Sequence, residues 1–513
     1  MASRFDAAIE VVEKAFRSSH GWRTWLRGRR WCGDVVGSGT ELAVKDRAVL
    51  SETNDEALVF FLAVAREEQT SRPVNIPLAI SPARPDSDAF ELAVGNERVY
   101  VTEAERRESF ARFVVDGFRG RVTIRTLHGD TIRFQGEPFG TYASSAMEAG
   151  DTSNLLLRIR TSGTEAVFKS YKLLDTANRE PDILERLHKK AFRHVPRYLG
   201  ELTLGKGDDR IAVGVATRFV QAPDAFAWLT AGWEAEFGGA PRPDFEGESL
   251  DFAASLGAAT AELHDALIDG HPGPFHPEPF TNEDAEEAVR VALSNLSDSL
   301  RRLLALSKEP QPRLGDLAAK ARAVVFENRE RMEATLLGIE AIVGTAKAVT
   351  HADLHLGQVL RPEAGDPLFI DFEGEPERPP GARSTLLPPL RDVATTNRSF
   401  AYVKHYAWRA ATHGDVTAAW RLLHREAWTD EDEAFARRLE TWESAAVERL
   451  TRAYLAKSKV YTEADPERVL RAIRGWAMEK ALYELRYELK HRPENIFIPL
   501  EGLVALARSG PPA

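Results

Sequence analysis

The sequence predicts an α+β protein in which sheet-forming segments come first and a large, mostly helical region follows. Up to about Tyr142, short β-type runs alternate with turns and one helical stretch, which indicates a small α+β domain. The next segment, LLLRIRTSGTEAVFKSY, holds two β-type runs joined by a turn, and the helical pattern PDILERLHKKAF follows it. After the apolar strand IAVGVATRFV the pattern becomes predominantly helical. We therefore expect three successive parts, residues 1–142, 143–221 and 222–513.

The composition is typical of globular proteins, with 513 residues, 43% of them hydrophobic and 28% charged. The formal net charge of -11 opposes binding to nucleic acid. The single cysteine, Cys32, cannot form an intramolecular disulfide, and the opening MASRFDAAIE has no secretory-signal pattern, so we expect a cytoplasmic protein. The apolar run from Ala57 to Ala65 is far shorter than the roughly 20 residues that cross a bilayer, so no membrane span is expected.

The strongest chemical signal is the run HADLHLGQ, residues 351–358, followed by apolar LFI and then DFEGE, residues 371–375. Phosphoryl transfer needs a carboxylate at the attacking hydroxyl and oxygen ligands that hold magnesium on the ATP phosphates. Asp353 suits the first role. Gln358 takes the position of Asn in the kinase pattern H-R-D-x-x-x-x-N, and Asp371 takes that of Asp in D-F-G, so both suit a metal.

The HxDxH triplet by itself is also compatible with a zinc site or a polar turn. A zinc site is disfavoured because the chain has one cysteine and no further histidine close to this segment. The five-residue spacing, the β-type run and the second aspartate together favour a kinase.

HADLHLGQVLRP and FIDFEGEPERP resemble the catalytic and metal-binding segments of maltokinases, which belong to the aminoglycoside-phosphotransferase-like branch of the protein-kinase-like superfamily. The runs AELH from residue 261, PLRDV from 389 and EKALYE from 479 are similar to that family too. One departure is Ala352, where many relatives have Gly. The resemblance implies a bilobal protein-kinase-like fold with an N-terminal α+β cap, ATP and Mg²⁺ as cofactors, and phosphorylation of maltose to maltose 1-phosphate.

The resemblance also implies roles for residues of the catalytic segments. Asp353 would be the general base, with Gln358 and Asp371 as the magnesium ligands. Glu373 would reach a second metal or a water. Asp392, which follows in PLRDV, is expected to hold the backbone of the catalytic loop by hydrogen bonds.

For ATP, the resemblance places Lys169 of AVFKSYK at the α- and β-phosphates. Its carboxylate partner is predicted to be Glu185, with Asp182 and Glu180 as rivals. Residues 149–154 would form the turn over the phosphates. The strand that ends near Val220 would be the hinge, where backbone groups pair with adenine.

The sugar is predicted to bind a helical face near the C-terminus. In EKALYELRYELK, Lys480, Tyr483 and Tyr487 fall at i, i+3 and i+7, so a helix places them on one face. Tyrosine rings can pack on the apolar side of a sugar while hydroxyls and an ammonium group bond its hydroxyls. His355 is also expected to contact the sugar. The alternative is a face that buries both rings while Lys480 extends into solvent.

A histidine and three tryptophans are expected to have structural rather than functional roles. His264 lies in an amphipathic helical pattern and is expected to be a core or cap residue outside the site. Trp22, Trp25 and Trp31 are expected to be packing residues of the cap rather than a sugar platform.

Two other functions stay open. A glucosamine kinase, or another amino-sugar or aminoglycoside kinase, would share the base and the metal ligands, because substrate choice depends on other residues. A catalytically silent kinase-like module would serve a trehalose-to-maltose isomerase as a partner, and an active enzyme could associate with such an isomerase as well. Asp353, Gln358, Asp371 and Lys169 are all present, which argues against a silent module.

Overall fold

The structure, a computed structural model, describes residues 4–29, 31–32, 40–67, 70–85, 88–148, 154–206, 209–238, 240, 242–308, 312–363, 365–375, 385–411 and 429–509. Helices account for 51% of the residues and strands for 23%, so the predicted α+β class is confirmed. The chain divides into two compact units. The first contains Met1–Lys189 and Pro196–Val220, and the second contains Lys190–Val195, Gln221–Arg378 and Ser384–Ala513.

The N-terminal part of the first unit is an antiparallel sheet of five strands with two helices packed on it. The strands lie in the order β1-β2-β3-β5-β4. The elements of this part are α1 (Asp6–Ser18), α2 (His20–Arg27), β1 (Glu41–Glu52), β2 (Ala57–Glu67), β3 (Thr70–Ser81), β4 (Phe90–Val94) and β5 (Glu97–Glu103).

An apolar core forms between these helices and the sheet. Helix α1 contributes Val12 and Phe16 from its buried stripe. Trp22 and Trp31 are buried in the same core, and the half-buried Trp25 packs against it. The three tryptophans are therefore packing residues, as predicted.

The second sheet of the first unit has seven strands in the order β6-β7-β11-β12-β10-β9-β8. Its elements, with the helices of this region, are α3 (Glu108–Gly120), β6 (Thr123–Arg125), β7 (Thr131–Gly136), β8 (Tyr142–Met147), β9 (Leu155–Thr161), β10 (Glu165–Ser170), α4 (Glu180–Lys189), β11 (Tyr198–Lys206) and β12 (Asp209–Arg218). Strands β9 and β10 pair antiparallel, which confirms the predicted hairpin, and α4 is the predicted helix after it.

This sheet takes strands from both sides of residue 142, where the sequence places a domain boundary. Strand β7 pairs with β11, and β8 pairs with β9. The pairing of β7 with β11, which lie far apart in sequence, leaves no local pattern, because each strand shows only its own alternation. The cap and the expected small lobe consequently share one sheet and one compact unit.

The second unit is predominantly helical, as predicted. Its helices are α5 (Ala225–Phe237), α6 (Phe245–Leu267), α7 (Asn282–Leu306), α8 (Pro312–Glu327), α9 (Arg329–Leu336), α10 (Leu390–Ala411), α11 (Asp430–Lys457), α12 (Pro466–His491) and α13 (Phe497–Ser509). A Cβ atom at Gly257 of α6 would lie 2.1 Å from the carbonyl oxygen of Leu450, so the approach of α6 to α11 requires glycine. Across the described ranges, no helix combines the length and the apolar character needed to cross a bilayer.

Two short antiparallel strand pairs lie among the helices of the second unit. One pairs β13 (Glu278–Pro279) with β14 (Ala346–Lys347), which follows three helices later, and the other is a hairpin of β15 (Val359–Leu360) and β16 (Leu368–Phe369). The 3-10 turn Leu356–Gln358 leads into β15. The backbone N–H of Ile370 donates to the carbonyl oxygen of Gln358 at 3.0 Å, so the β15–β16 hairpin brings the two acidic segments of the sequence side by side.

Candidate active site

The loop that carries Asp353 is held by a buried carboxylate on α10. Asp392 accepts hydrogen bonds from the backbone N–H groups of His351 at 2.8 Å and Ala352 at 3.0 Å. Nε2 of His264 on α6 lies 3.1 Å from Oδ2 of Asp392. Burial raises the pKa of Asp392, but the hydrogen bonds, that of His264 first, outweigh burial and hold the pKa below its usual value. The predicted structural role of Asp392 is confirmed, and His264 is buried outside the site.

The backbone is strained next to both acidic segments. Ala352 and Asp371 each have a φ of 68°, a left-handed conformation that costs a residue with a side chain about 1–2 kcal/mol. Gly374 also has a positive φ, of 74°. The sequence departure at residue 352 thus falls where the backbone favours glycine. Such a conformation persists only where its surroundings fix it, and the bonds to Asp392 do so here.

The half-buried Asp353 forms an ion pair with the buried Lys480 of α12. Nζ of Lys480 lies 3.1 Å from Oδ1 of Asp353 and 2.7 Å from Oε1 of Glu375. Burial opposes the charge of Lys480, but the two carboxylates, Glu375 first, outweigh it and raise the pKa of Lys480 far above its usual value. Lys480 is therefore a permanent cation that fixes the orientation of the Asp353 carboxylate.

The ion pair continues into a larger buried network. Arg391 of α10 lies 2.8 Å from Glu375 and 3.2 Å from Glu479, and it donates to the backbone oxygen of Ala352 at 3.2 Å. Burial opposes its charge, while Glu375 and Glu479 raise the pKa of Arg391 further above its usual range. The sequence alone assigns no role to Arg391, Glu375 or Glu479. They lie in the runs PLRDV, DFEGE and EKALYE, and nothing local in these runs shows that their charges meet.

His355 has its tautomer set by the backbone. The N–H of Gly357 donates to Nδ1 at 3.1 Å, so the proton of the neutral ring is on Nε2, which lies 3.9 Å from Oδ2 of Asp353. Desolvation lowers the pKa of His355, with Asp353 opposing the shift. A neutral, half-buried His355 can donate one hydrogen bond from Nε2 beside Asp353.

The residues predicted to bind magnesium lie together at the β15–β16 hairpin. Nε2 of Gln358 donates to Oδ2 of Asp371 at 2.9 Å, and carboxylate oxygens of Asp371 and Glu373 lie within 4.8 Å of each other. Carboxylate and amide oxygens are the ligands that Mg²⁺ takes from proteins. The donor set of this hairpin fits Mg²⁺.

The helical face on α12 is present, but its lysine does not extend into solvent. The rings of Tyr483 and Tyr487 are stacked with centroids 6.2 Å apart, and Nζ of Lys480 lies 4.6 Å from the centroid of Tyr483. Both tyrosines are half-buried, whereas Lys480 is buried in its ion pairs. The alternative in which Lys480 reaches out to solvent is wrong, because two carboxylates hold its ammonium group inside.

In the first unit, Lys169 of β10 pairs with Glu180 and not with Glu185. Nζ of Lys169 lies 2.9 Å from Oε2 of Glu180, which also accepts from the hydroxyl of Tyr171 at 2.6 Å. The expected partner, Glu185, pairs instead with Lys189 at 2.8 Å on the exposed side of α4. Five residues correspond to a rotation of about 140° around a helix, so Glu180 and Glu185 cannot both face Lys169.

The remaining predicted nucleotide residues are described only in part. Val220 follows β12 and is half-buried, and the N–H of the preceding Phe219 donates to the carbonyl oxygen of Glu165 at 2.9 Å. Residues 149–153 of the predicted phosphate turn lie outside the described residues. The hinge role of Val220 stays a prediction.

Comparison with known proteins finds similarity to glucosamine kinases. The chain is 28% identical over 338 residues to the glucosamine kinase of Mycolicibacterium smegmatis, covering 64% of this chain and 72% of that protein. It is 25% identical over 224 residues to the glucosamine kinase of Streptacidiphilus jiangxiensis, covering 42% of this chain and 44% of that protein. These similarities show homology to glucosamine kinases. No family model matches the chain.

Among solved structures, a glucosamine kinase in complex with glucosamine, ADP and inorganic phosphate superimposes with a TM-score of 0.59 at 18% identity, covering 94% of this chain and 99% of that one. A likeness at this level of identity concerns the fold. The kinase-like fold predicted from the sequence is therefore confirmed.

Proposed function

We propose that this protein is an ATP-dependent, magnesium-requiring kinase that phosphorylates a hydroxyl group of a small sugar, with glucosamine as the first candidate acceptor. The observation that carries the proposal is the Asp353 carboxylate, oriented by the permanent cation Lys480, on a loop that ends in the Gln358–Asp371 pair. Homology to glucosamine kinases favours an amino sugar over maltose as the acceptor.

In this mechanism Asp353 accepts the proton of the sugar hydroxyl as that oxygen attacks the γ-phosphorus, and the bond from the γ-phosphorus to the β–γ bridging oxygen breaks so that ADP leaves. Lys480 cannot be the base because it stays protonated, so its part is to hold Asp353 in place. His355 would donate from Nε2 to a hydroxyl of the sugar.

Gln358 and Asp371, with Glu373 beside them, would hold Mg²⁺. When bound, the ion neutralises charge on the β- and γ-phosphates. Lys169 would donate to the α- and β-phosphates, with Glu180 fixing its ammonium group and the backbone near Val220 pairing with adenine.

Maltose is the second candidate acceptor. The stacked Tyr483 and Tyr487 extend away from the Lys480–Asp353 pair along α12, and a disaccharide would use such an aromatic face beyond the reacting ring. If maltose is the acceptor, Tyr487→Phe should raise its KM more than that of ATP, and association with a trehalose-to-maltose isomerase would belong to this alternative.

The test is release of ADP from ATP and Mg²⁺, measured with glucosamine, maltose, glucose and an aminoglycoside as acceptors. We expect the highest kcat/KM with glucosamine. A kcat/KM for maltose at least tenfold higher than that for glucosamine would show that maltose is the acceptor. The proposed kinase chemistry would not change. Absence of sugar-dependent ADP release with every acceptor would favour the silent binding module.

A further inference from the structure

Strand β10 and the residues that follow it turn side chains alternately towards two carboxylates of the first unit. Lys169 and Tyr171, the first and third residues of the run 169–172, both donate hydrogen bonds to Glu180. Ser170, the second, donates from its hydroxyl to Oε1 of Glu105 at 3.0 Å, and the ammonium group of Lys172, the fourth, bonds the same oxygen. Because successive side chains of an extended chain point to opposite sides, this one segment connects both carboxylates.

Glu105 belongs to the cap and is buried. It lies in the 3-10 turn Ala104–Arg106 that joins β5 to α3. Glu105 and Lys172 each expose only 1% of their side chains, and Lys172 lies 5.0 Å above the ring of Trp31 in the cap core. A buried ion pair holds its geometry because neither charge can be released to water without cost.

The cap also binds the backbone of the same segment. The backbone N–H of Asn75 on β3 donates to the carbonyl oxygen of Lys172 at 2.8 Å, and its side-chain Nδ2 donates to that of Tyr171 at 2.9 Å. The N–H of Leu174 donates to the carbonyl oxygen of Pro73 at 2.9 Å. Side-chain and backbone bonds together leave residues 170–174 little freedom to move relative to the cap sheet.

We propose that Glu105 is a positioning residue for nucleotide binding, through which the N-terminal cap sets the place of Lys169. The inference rests on the proposed kinase function. Lys169 directly precedes Ser170, and Tyr171 shares Glu180 with it, so displacement of residues 170–172 changes the direction in which the Lys169 ammonium group points. The cap thereby acts on ATP binding without itself contacting the nucleotide.

The test compares Glu105→Gln with Glu56→Gln, a matched control elsewhere in the cap. Glu56 has the same kinds of partners as Glu105, a cation and a serine hydroxyl, because it bonds Arg107 at 2.8 Å and Ser109. Affinity for Mg²⁺-ADP is measured by calorimetry, and hydrogen exchange is measured at the amides of residues 169–174.

We expect Glu105→Gln to weaken Mg²⁺-ADP binding about tenfold and to speed exchange in residues 169–174, since a charged hydrogen bond is lost. Glu56→Gln should change neither. In steady-state kinetics, Glu105→Gln should raise the KM for ATP and leave the KM for the sugar unchanged. Ser170→Ala, which removes only the hydroxyl bond, should act in the same direction by about two- to threefold and covers the case in which Glu105→Gln does not fold.

Two results would overturn the inference. The first is a folded Glu105→Gln or Ser170→Ala variant with wild-type affinity for Mg²⁺-ADP and wild-type amide exchange in residues 169–174. The second is an equal loss of Mg²⁺-ADP affinity in Glu56→Gln. If the wild-type protein bound no Mg²⁺-ADP, the kinase proposal itself would fall and the role in nucleotide binding with it. Hydrogen exchange distinguishes failure of the kinase proposal from failure of the positioning role. It is measured without nucleotide and reports directly whether Glu105 restricts the motion of residues 169–174.

Discussion

Two cation–carboxylate assemblies of this protein have different predicted roles, because one contains Lys169 and the other contains Asp353. In the first unit, Nζ of Lys169 lies 2.9 Å from Glu180, which also accepts from the hydroxyl of Tyr171. In the second unit alternating charges form a chain, in the order Glu479, Arg391, Glu375, Lys480 and Asp353. Loss of one member of this chain removes a counter-charge from neighbours that are largely buried, which costs stability as well as the placement of Asp353. We therefore expect the first assembly to govern nucleotide affinity and the second to govern turnover and folding together.

Asp353→Asn should have the largest effect on turnover. It removes the proton acceptor but keeps the size of the side chain, so kcat should fall by about 10²–10⁴ while affinity for Mg²⁺-ADP stays near that of wild type. Steady-state kinetics and calorimetry check this. Asp366→Asn is the control and should leave kcat unchanged, because Asp366 is a half-exposed acid in the loop of the β15–β16 hairpin and lies 3.5 Å from Arg193. Near-normal turnover in Asp353→Asn would show that another group is the base.

Lys480→Met should have the largest effect on stability. It leaves Glu375 and Asp353 without their shared cation, so the free energy of unfolding should fall by about 3–5 kcal/mol and kcat should fall as well. Lys490→Met, at an exposed position of the same helix, is the control. Unchanged stability with only a higher KM for the sugar would mean that Lys480 serves the substrate and not Asp353.

The difference in unfolding free energy between wild type and Lys480→Met should depend on pH in one direction only. The pKa of Lys480 is raised in the folded protein, so its contribution to stability is fully present below the unfolded value of about 10.4 and is lost as the pH rises through the folded value. Denaturant unfolding should show a constant gap between wild type and Lys480→Met from neutral pH to about pH 10. A gap that closes near neutral pH would contradict the assignment.

Lys169→Met should have a smaller and narrower effect. Loss of one charged contact to the phosphates should raise the KM for ATP by about 10- to 100-fold, and the KM for the sugar should not change. Lys189→Met breaks the exposed pair with Glu185 and should change neither constant, because Glu185 does not face Lys169. Equal effects of the two variants would restore Glu185 as the partner.

The features that the sequence predicts correctly are local ones. The β9–β10 hairpin, the helix after it and the adjacency of Gln358 and Asp371 all follow from residues close together in sequence. The partner of Lys169, Glu180 or Glu185, depends on where α4 begins and on which of its faces lies towards β10. Sequence spacing alone does not determine either. Arg391 and Glu479 are 88 positions apart and meet only after α10 packs on α12, so no local pattern could join them. The pairing of β7 with β11 across residue 142 was hidden for the same reason.

Ala352→Gly should have the smallest effect. Glycine relieves the left-handed strain of about 1–2 kcal/mol but gives the unfolded chain about 0.5–1 kcal/mol of extra entropy, so the protein should become more stable by up to about 1.5 kcal/mol. Ala288→Gly, in the middle of α7, should destabilise it by about 1 kcal/mol instead. The same sign for both variants in denaturant unfolding would mean that residue 352 carries no strain.

The central claim is that the protein transfers phosphate from ATP to a sugar. Phosphorus-31 NMR of wild-type protein with ATP, Mg²⁺ and glucosamine tests it most directly, because the spectrum separates a sugar phosphate from inorganic phosphate released by hydrolysis. We predict a new sugar phosphate signal that grows with the ADP signal and is nearly absent with Asp353→Asn. Growth of inorganic phosphate alone, with glucosamine and equally with maltose, would contradict the account.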